Sequence, residues 1–204
     1  MKNIMKFLNL YIILGFITLS SNAQTSVKPL NDLDFIDSSG TYYKDIDNEI
    51  DPFLGTWLHD EGSIQFKVVF KKSIQYDFRG RYFIDLLVGE YSYVENGVEK
   101  INTLGQIDTV EGFDHAINGM FNIKSCDIPP SQNCTAGQSR FHLSIIDPTE
   151  DRVAGNFIIH KNLNAPNDQI EVFITIGYGG SLRENETIPT PAMPWQKKYT
   201  LVRQ

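Results

Sequence analysis

The chain has 204 residues, with 25 acidic against 18 basic side chains and a net charge of −7. An acidic chain without a basic block is a poor match for nucleic acid or anionic lipid surfaces, which excludes the charge-driven binders of both. The length suits one domain with a sizeable core.

The N-terminus has the three parts of a cleaved secretory signal peptide. Lys2 and Lys6 supply a positive start, Phe7 to Leu19 is mostly apolar, and Ser21-Asn22-Ala23 puts small residues before Gln24. The apolar run is short of the roughly 20 residues that span a bilayer. Residues 1–23 are therefore expected to be removed on export to the periplasm or beyond. No Cys follows the run, so a bacterial lipoprotein anchor is not expected, and no later segment reads as a membrane span. The removed segment holds two Lys and no acid, so the mature chain is more acidic still.

Residues 24–50 are polar and read as an irregular N-terminal arm. Residues 51–204 read as a single β domain. Strands are predicted near 54–59, 63–76, 82–95, 98–104, 115–123, 139–146, 152–161, 169–176 and 197–203. The signal is period two: Ile64, Phe66, Val68 and Phe70 alternate with Gln65, Lys67 and Lys71. Phe141, Leu143 and Ile145 repeat it, as do Ile170, Val172, Ile174 and Ile176. Asn96-Gly97 is a strong two-residue hairpin signal. Sustained helical periodicity is absent, and a turn or two of helix is expected only near Asn48–Leu54 or Thr109–Phe113.

Glycines recur in the pattern apolar, any, Gly, any, aromatic. Gly55, Gly89, Gly119 and Gly155 fall inside predicted strands, whereas Gly80 falls in a turn. Glycine inside a strand marks a bend or a close approach, as closed sheets need at their corners. The aromatic two positions on is expected to cover the gap. The chain is thus mainly β. The preferred architecture is a single antiparallel up-and-down barrel of about 8–9 strands, and a two-sheet β-sandwich is the alternative. Closure is preferred because it removes both sheet edges.

Two longer irregular loops remain, Lys124–Gln138 and Gly177–Trp195, and a meander places them at opposite ends. The first holds the only cysteines, Cys126 and Cys134. In an oxidising compartment they are expected to form one disulfide that staples the loop locally. Phe66, Phe70, Phe141, Leu143, Phe157, Val172 and Ile174 are the candidates for the inner face. They line an apolar lumen for a small apolar ligand, or they fill it. The filled case corresponds to a structural or protein-interaction module of the cell envelope.

Phe53-Leu54-Gly55-Thr56-Trp57 resembles the Gly-x-Trp start of lipocalins and related calycin barrels. The resemblance implies a lipocalin-like barrel whose Trp57 closes one end, with Arg203 near the last strand packed across the indole. The other lipocalin signatures, including a helix after the barrel, are lacking. The chain also resembles a family of uncharacterised exported proteins, a domain of unknown function, from flavobacteria and other Bacteroidota. Ser21-Asn22-Ala23-Gln24, the run Asp47 to Trp57, Leu86 to Tyr91 and Glu95 to Lys100 carry that resemblance. It implies a small exported β-protein and no particular activity.

No grouping reads as a catalytic or metal site, so no enzyme and no cofactor is expected. The acids Asp45, Asp47, Glu49 and Asp51 alternate as in a calcium loop, but Ile50 and Thr56 stand where such a loop needs Gly and Glu. A solvated segment is expected there. His59, His115, His142 and His160 lack helical zinc spacing. Nothing distinguishes a carboxylate pair such as Asp85 and Glu90 from surface charge. Gly177 to Gly180 lacks the features of a phosphate-binding loop. Asn133-Cys134-Thr135 and Asn185-Glu186-Thr187 match the N-glycosylation sequon by coincidence, and Asp108-Thr109-Val110 resembles the O-glycosylation acceptor of Bacteroidota.

Overall fold

The alternating segments form β-strands because each buries one row of apolar side chains and offers the other row to water. The computed structural model describes residues 25–32, 39–126, 135–150, 152–178 and 190–204, the side chains of 176–178 excepted. Among the described residues there are eleven strands: β1 (Val27–Pro29), β2 (Tyr42–Lys44), β3 (Gly55–Asp60), β4 (Ile64–Phe78), β5 (Tyr82–Glu95) and β6 (Val98–Asn102). After them come β7 (Ile117–Ile123), β8 (Arg140–Ile146), β9 (Val153–Lys161), β10 (Gln169–Tyr178) and β11 (Lys197–Arg203).

Eight of them close into an antiparallel barrel in the order β5-β4-β3-β11-β10-β9-β8-β7. The seam between first and last strands joins Leu58 to Val202 and Trp57 to Arg203. The other closing seam joins β7 to β5 through Leu87–Gly119, Val88–Asn118 and Gly89–Ile117. The fold is therefore the up-and-down barrel and not the sandwich. β7 and β10 run in opposite directions, so the loops that follow them leave from opposite ends of the barrel.

β6 is the expected hairpin partner of β5 across Asn96-Gly97, yet it lies outside the barrel. The reason is the length of β5. One edge of β5 pairs with β4 throughout, and the other is divided among three partners. β2 takes Phe83 and Ile84 in parallel, β7 takes Leu87 to Gly89, and β6 takes Ser92 to Glu95. Only β7 continues round the wall.

The arm is not wholly irregular, as its composition suggested. β1 and β2 extend the sheet beyond β5, and Tyr43 and Ile50 are fully buried. Two carboxylates hold it. Asp85 on β5 accepts from the Tyr42 hydroxyl at 2.7 Å, the Asp45 N–H at 2.9 Å and the Gln75 N–H at 2.9 Å. Asp45 in turn accepts from the N–H groups of Glu49 and Ile50 and pairs with Lys72 at 2.8 Å. Asp45 is thus a buried turn organiser and not part of a solvated acidic run. Three short 3-10 turns complete the described chain, at Asp51–Phe53, Leu104–Gln106 and Gly112–Asp114. Residues 1–23 and Cys134 lie outside the described residues.

Four inward glycines meet a partner. A Cβ on Gly55 would lie 2.9 Å from Arg203 Nη1, and one on Gly89 would lie 2.7 Å from the Phe70 ring. On Gly119 it would meet Leu143 at 3.0 Å, and on Gly155 it would meet the Thr175 carbonyl oxygen at 2.0 Å and the Trp195 ring at 2.9 Å. The covering groups come from other strands or from the loop before β11, not from the aromatic two positions on. Gly80 has open space around it, in keeping with its turn.

Candidate functional site

The seven lumen candidates, Phe66, Phe70, Phe141, Leu143, Phe157, Val172 and Ile174, all point inward and none is more than 1% exposed. Rings on opposite walls touch. β4 and β9 lie four places apart in a ring of eight strands, yet the Phe66 and Phe157 centroids are 6.5 Å apart and those of Phe70 and Phe157 are 6.1 Å apart. Phe66 also meets Tyr91 at 5.9 Å and Tyr199 at 5.0 Å, and Phe141 meets Phe53 at 5.4 Å. Side chains therefore fill the middle section of the barrel, as is common at eight strands.

One end is built on Trp57. Its indole N–H donates to the Phe53 carbonyl at 2.7 Å, and the Arg203 guanidinium lies 4.2 Å from the ring centroid. Arg203 also donates to the Pro52 carbonyl at 2.8 Å, to the Leu54 carbonyl and to Asp168. Gly55 is what leaves room for that guanidinium. The Lys161 amine approaches the same indole at 4.7 Å and shares Asp168. Burial and the neighbouring Arg203 push Lys161 down to about 8. Cations over an indole contribute roughly 0.5–2 kcal/mol each. These contacts all close the end. A mostly apolar hollow of about 380 Å³ lies beside it, lined in part by the exposed Leu163.

The other end carries polar groups that the alternation did not reveal. β3 and β5 finish there and β11 starts there, because β3 and β5 both run against β4 and β11 runs against β3. Residues 190–196 cross this mouth, with Met193 and Trp195 buried in it. Trp195 sits over Gly155, whose missing Cβ makes room for the indole. His59 and Tyr93 flank Phe66 on the inner wall just below. His59 Nδ1 lies 3.0 Å from the Thr200 carbonyl, an acceptor, so Nδ1 carries the proton and neutral His59 offers a lone pair at Nε2. Three buried polar atoms at this mouth lack a hydrogen-bond partner: His59 Nε2, the Tyr93 hydroxyl and Trp195 Nε1. The nearest acid to His59 Nε2 is Glu61, 3.6 Å away. Burial pushes the Tyr93 and Tyr199 hydroxyls up, with Glu95 adding to both. A groove of about 440 Å³ opens beside Glu95, Met193 and Trp195.

Asp85 and Glu90 do not form a pair: five residues apart on β5, they point to opposite faces of the strand. Asp85 binds the arm, and Glu90 lies under the segment 103–116 that straps across β5. Glu90 Oε1 accepts from His115 Nδ1 at 2.9 Å and from the Ala116 N–H at 3.3 Å. His142 is bonded to Asn156 across β8 and β9, and His160 is buried near Glu171, 3.5 Å away. Among the described residues no group of three or more His, Cys, Asp or Glu could hold a metal ion. No helix of the described residues is long and apolar enough to cross a membrane, which says nothing of strands.

Comparison with the curated proteins and with the solved structures finds no match. A family model described as a family of unknown function, DUF6705, matches residues 1–204. It spans the arm, the barrel and both barrel ends, so the chain belongs to the family of unknown function DUF6705.

Proposed function

We propose that this protein is an exported binding module that takes a small molecule at the Trp195 mouth, above a filled barrel, and not in an apolar lumen. The observation that carries the reading is the set of three unpartnered buried polar atoms beside the mouth groove. Leaving such a group unsatisfied costs about 1–3 kcal/mol, so a site that does so three times is shaped for something that completes it. Trp195 Nε1 can only donate, and neutral His59 Nε2 can only accept. Tyr93 can do either. The complementary ligand has a donor and an acceptor close together, such as a hydroxyl or primary amide, on a body apolar enough to lie against Met193 and Trp195. A second reading, the structural or protein-interaction module, is favoured by the rings that meet across the barrel.

Native mass spectrometry of the protein from its own envelope tests this, followed by extraction of what it carries. The expected species begins at Gln24, has Cys126 and Cys134 bridged, and carries an adduct that Trp195→Ala loses. A clean unliganded mass at every charge state, with nothing extracted, overturns the ligand reading in favour of the filled structural module. A species that still holds residues 1–23 overturns export with cleavage.

A further inference from the structure

We infer that the Glu90–His115 pair is a general-base site on the outer wall, working on small uncharged carboxylic esters in the groove beside the 103–116 strap. This site is separate from the Trp195 mouth. It departs from the expectation that the chain is no enzyme, because residues 25 positions apart become a pair only when the strap folds over β5.

Three observations carry it. The first is the pair itself. Glu90 is fully buried and His115 is 3% exposed, and they meet at 2.9 Å. Glu90 Oε1 also accepts the Ala116 N–H, which makes this oxygen the acceptor of both contacts. The shared proton therefore sits on His115 Nδ1, and Nε2 holds the lone pair that a general base needs. The second is that Glu90 Oε2 is buried without a partner. A carboxylate so incompletely neutralised gains most when the imidazole beside it takes up a second proton, which is the event in base catalysis. The third is the opening. His115 is one wall of a groove of about 490 Å³, between the strap and the far half of β4.

The groove's chemistry selects the substrate. Lys71 is paired with Asp108, and Lys72 is paired with Asp45 and Asp51. Asp77 and Glu111 add further negative charge. That disfavours phosphates and other polyanions. Ile74, 69% exposed, and Val110 give a short acyl chain apolar contact. His115 Nε2 takes a proton from water as the water oxygen bonds to the ester carbonyl carbon. The tetrahedral oxyanion then collapses and the carbon–oxygen bond to the alcohol breaks. The leaving alkoxide takes the proton from the imidazolium, which leaves one carboxylic acid, one alcohol and neutral His115.

The test follows hydrolysis of 4-nitrophenyl acetate and 4-nitrophenyl butyrate by the exported chain. His115→Ala is expected to lose at least about 100-fold, the scale of a positioned general base, and added imidazole to restore part of it. Glu90→Gln, which keeps a hydrogen-bonding amide at the site, is expected to lose about 10-fold with an unchanged circular dichroism spectrum. His142→Ala, on the outer face of β8, is expected to keep the full rate. Wild-type turnover no faster than free imidazole at equal concentration overturns the proposal. So does a His115→Ala variant that is folded and fully active, and so does an equal loss in His142→Ala.

Discussion

Gly155→Ala lowers the unfolding free energy by about 3 kcal/mol, the upper part of the range for overpacking a tight site. The added Cβ would stand 2.0 Å from the Thr175 carbonyl oxygen and 2.9 Å from the Trp195 ring. Neither neighbour can yield cheaply. Thr175 belongs to β10, paired with β9 along its length, so moving its carbonyl opens that ladder. Trp195 could swing away, but only by uncovering the mouth. Urea denaturation measures the loss, and Trp195 fluorescence, read in a Trp57→Phe background, is expected to report greater exposure to water. Gly80→Ala is the comparison. Its φ of +68° makes alanine strained, but no neighbour lies within 4 Å, so its cost stays near 1 kcal/mol. Equal costs at the two positions would show that backbone conformation, not close approach, decides both.

Asp85→Ala has a somewhat larger effect, about 4 kcal/mol, by a different route. Removing the carboxylate strands three donors at once: the Tyr42 hydroxyl, the Asp45 N–H and the Gln75 N–H. Gln75 has a positive φ of 53°, at the irregularity between Ser73 and Tyr76, and the Asp85 acceptor is what rewards that backbone. The Tyr42 hydroxyl is pushed up by burial and by this same carboxylate, which fits a donor held in place. The loss falls first on the arm, because β2 has only Phe83 and Ile84 of the barrel to pair with. Limited proteolysis is therefore expected to cut before residue 50 at least tenfold faster, and urea to show the global loss. Unchanged proteolysis would mean that Tyr43 and Ile50 hold the arm without Asp85. Against a total stability of about 5–15 kcal/mol, either substitution is a large fraction.

Much of the barrel is readable in the one-dimensional pattern. The predicted and observed strands agree within two residues at nearly every boundary, because burial on one face imposes period two on the residues themselves. The four strand glycines stand out for a similar reason: each is a place where another group must come close. What covers them is not readable. Phe70 over Gly89 and Trp195 over Gly155 come from other parts of the chain, and only register or loop path assigns them. The arm was legible only as polar, since Asp45 and Asp85 look like solvated acids until their donors are known.

The candidate sites were less legible still. Glu90 was visible only as one carboxylate among many, and His115 only as a histidine without metal spacing. Period two sets Glu90 on the face of β5 opposite Gly89 and Tyr91, but His115 lies before β7, and alternation says nothing of a strap laid across that wall. Likewise His59, Tyr93 and Trp195 reach one mouth because β3 and β5 end where β11 begins. The sequence by itself determined the strand content, the inward rows and the turn at Asn96-Gly97, because these follow from local geometry and one-sided burial. Only the tertiary structure decided that eight strands close while Val98–Asn102 stays outside, that rings from opposite walls fill the lumen, and that Glu90 meets His115. Those outcomes depend on which non-local groups share a neighbourhood, which alternation leaves open until the barrel has closed.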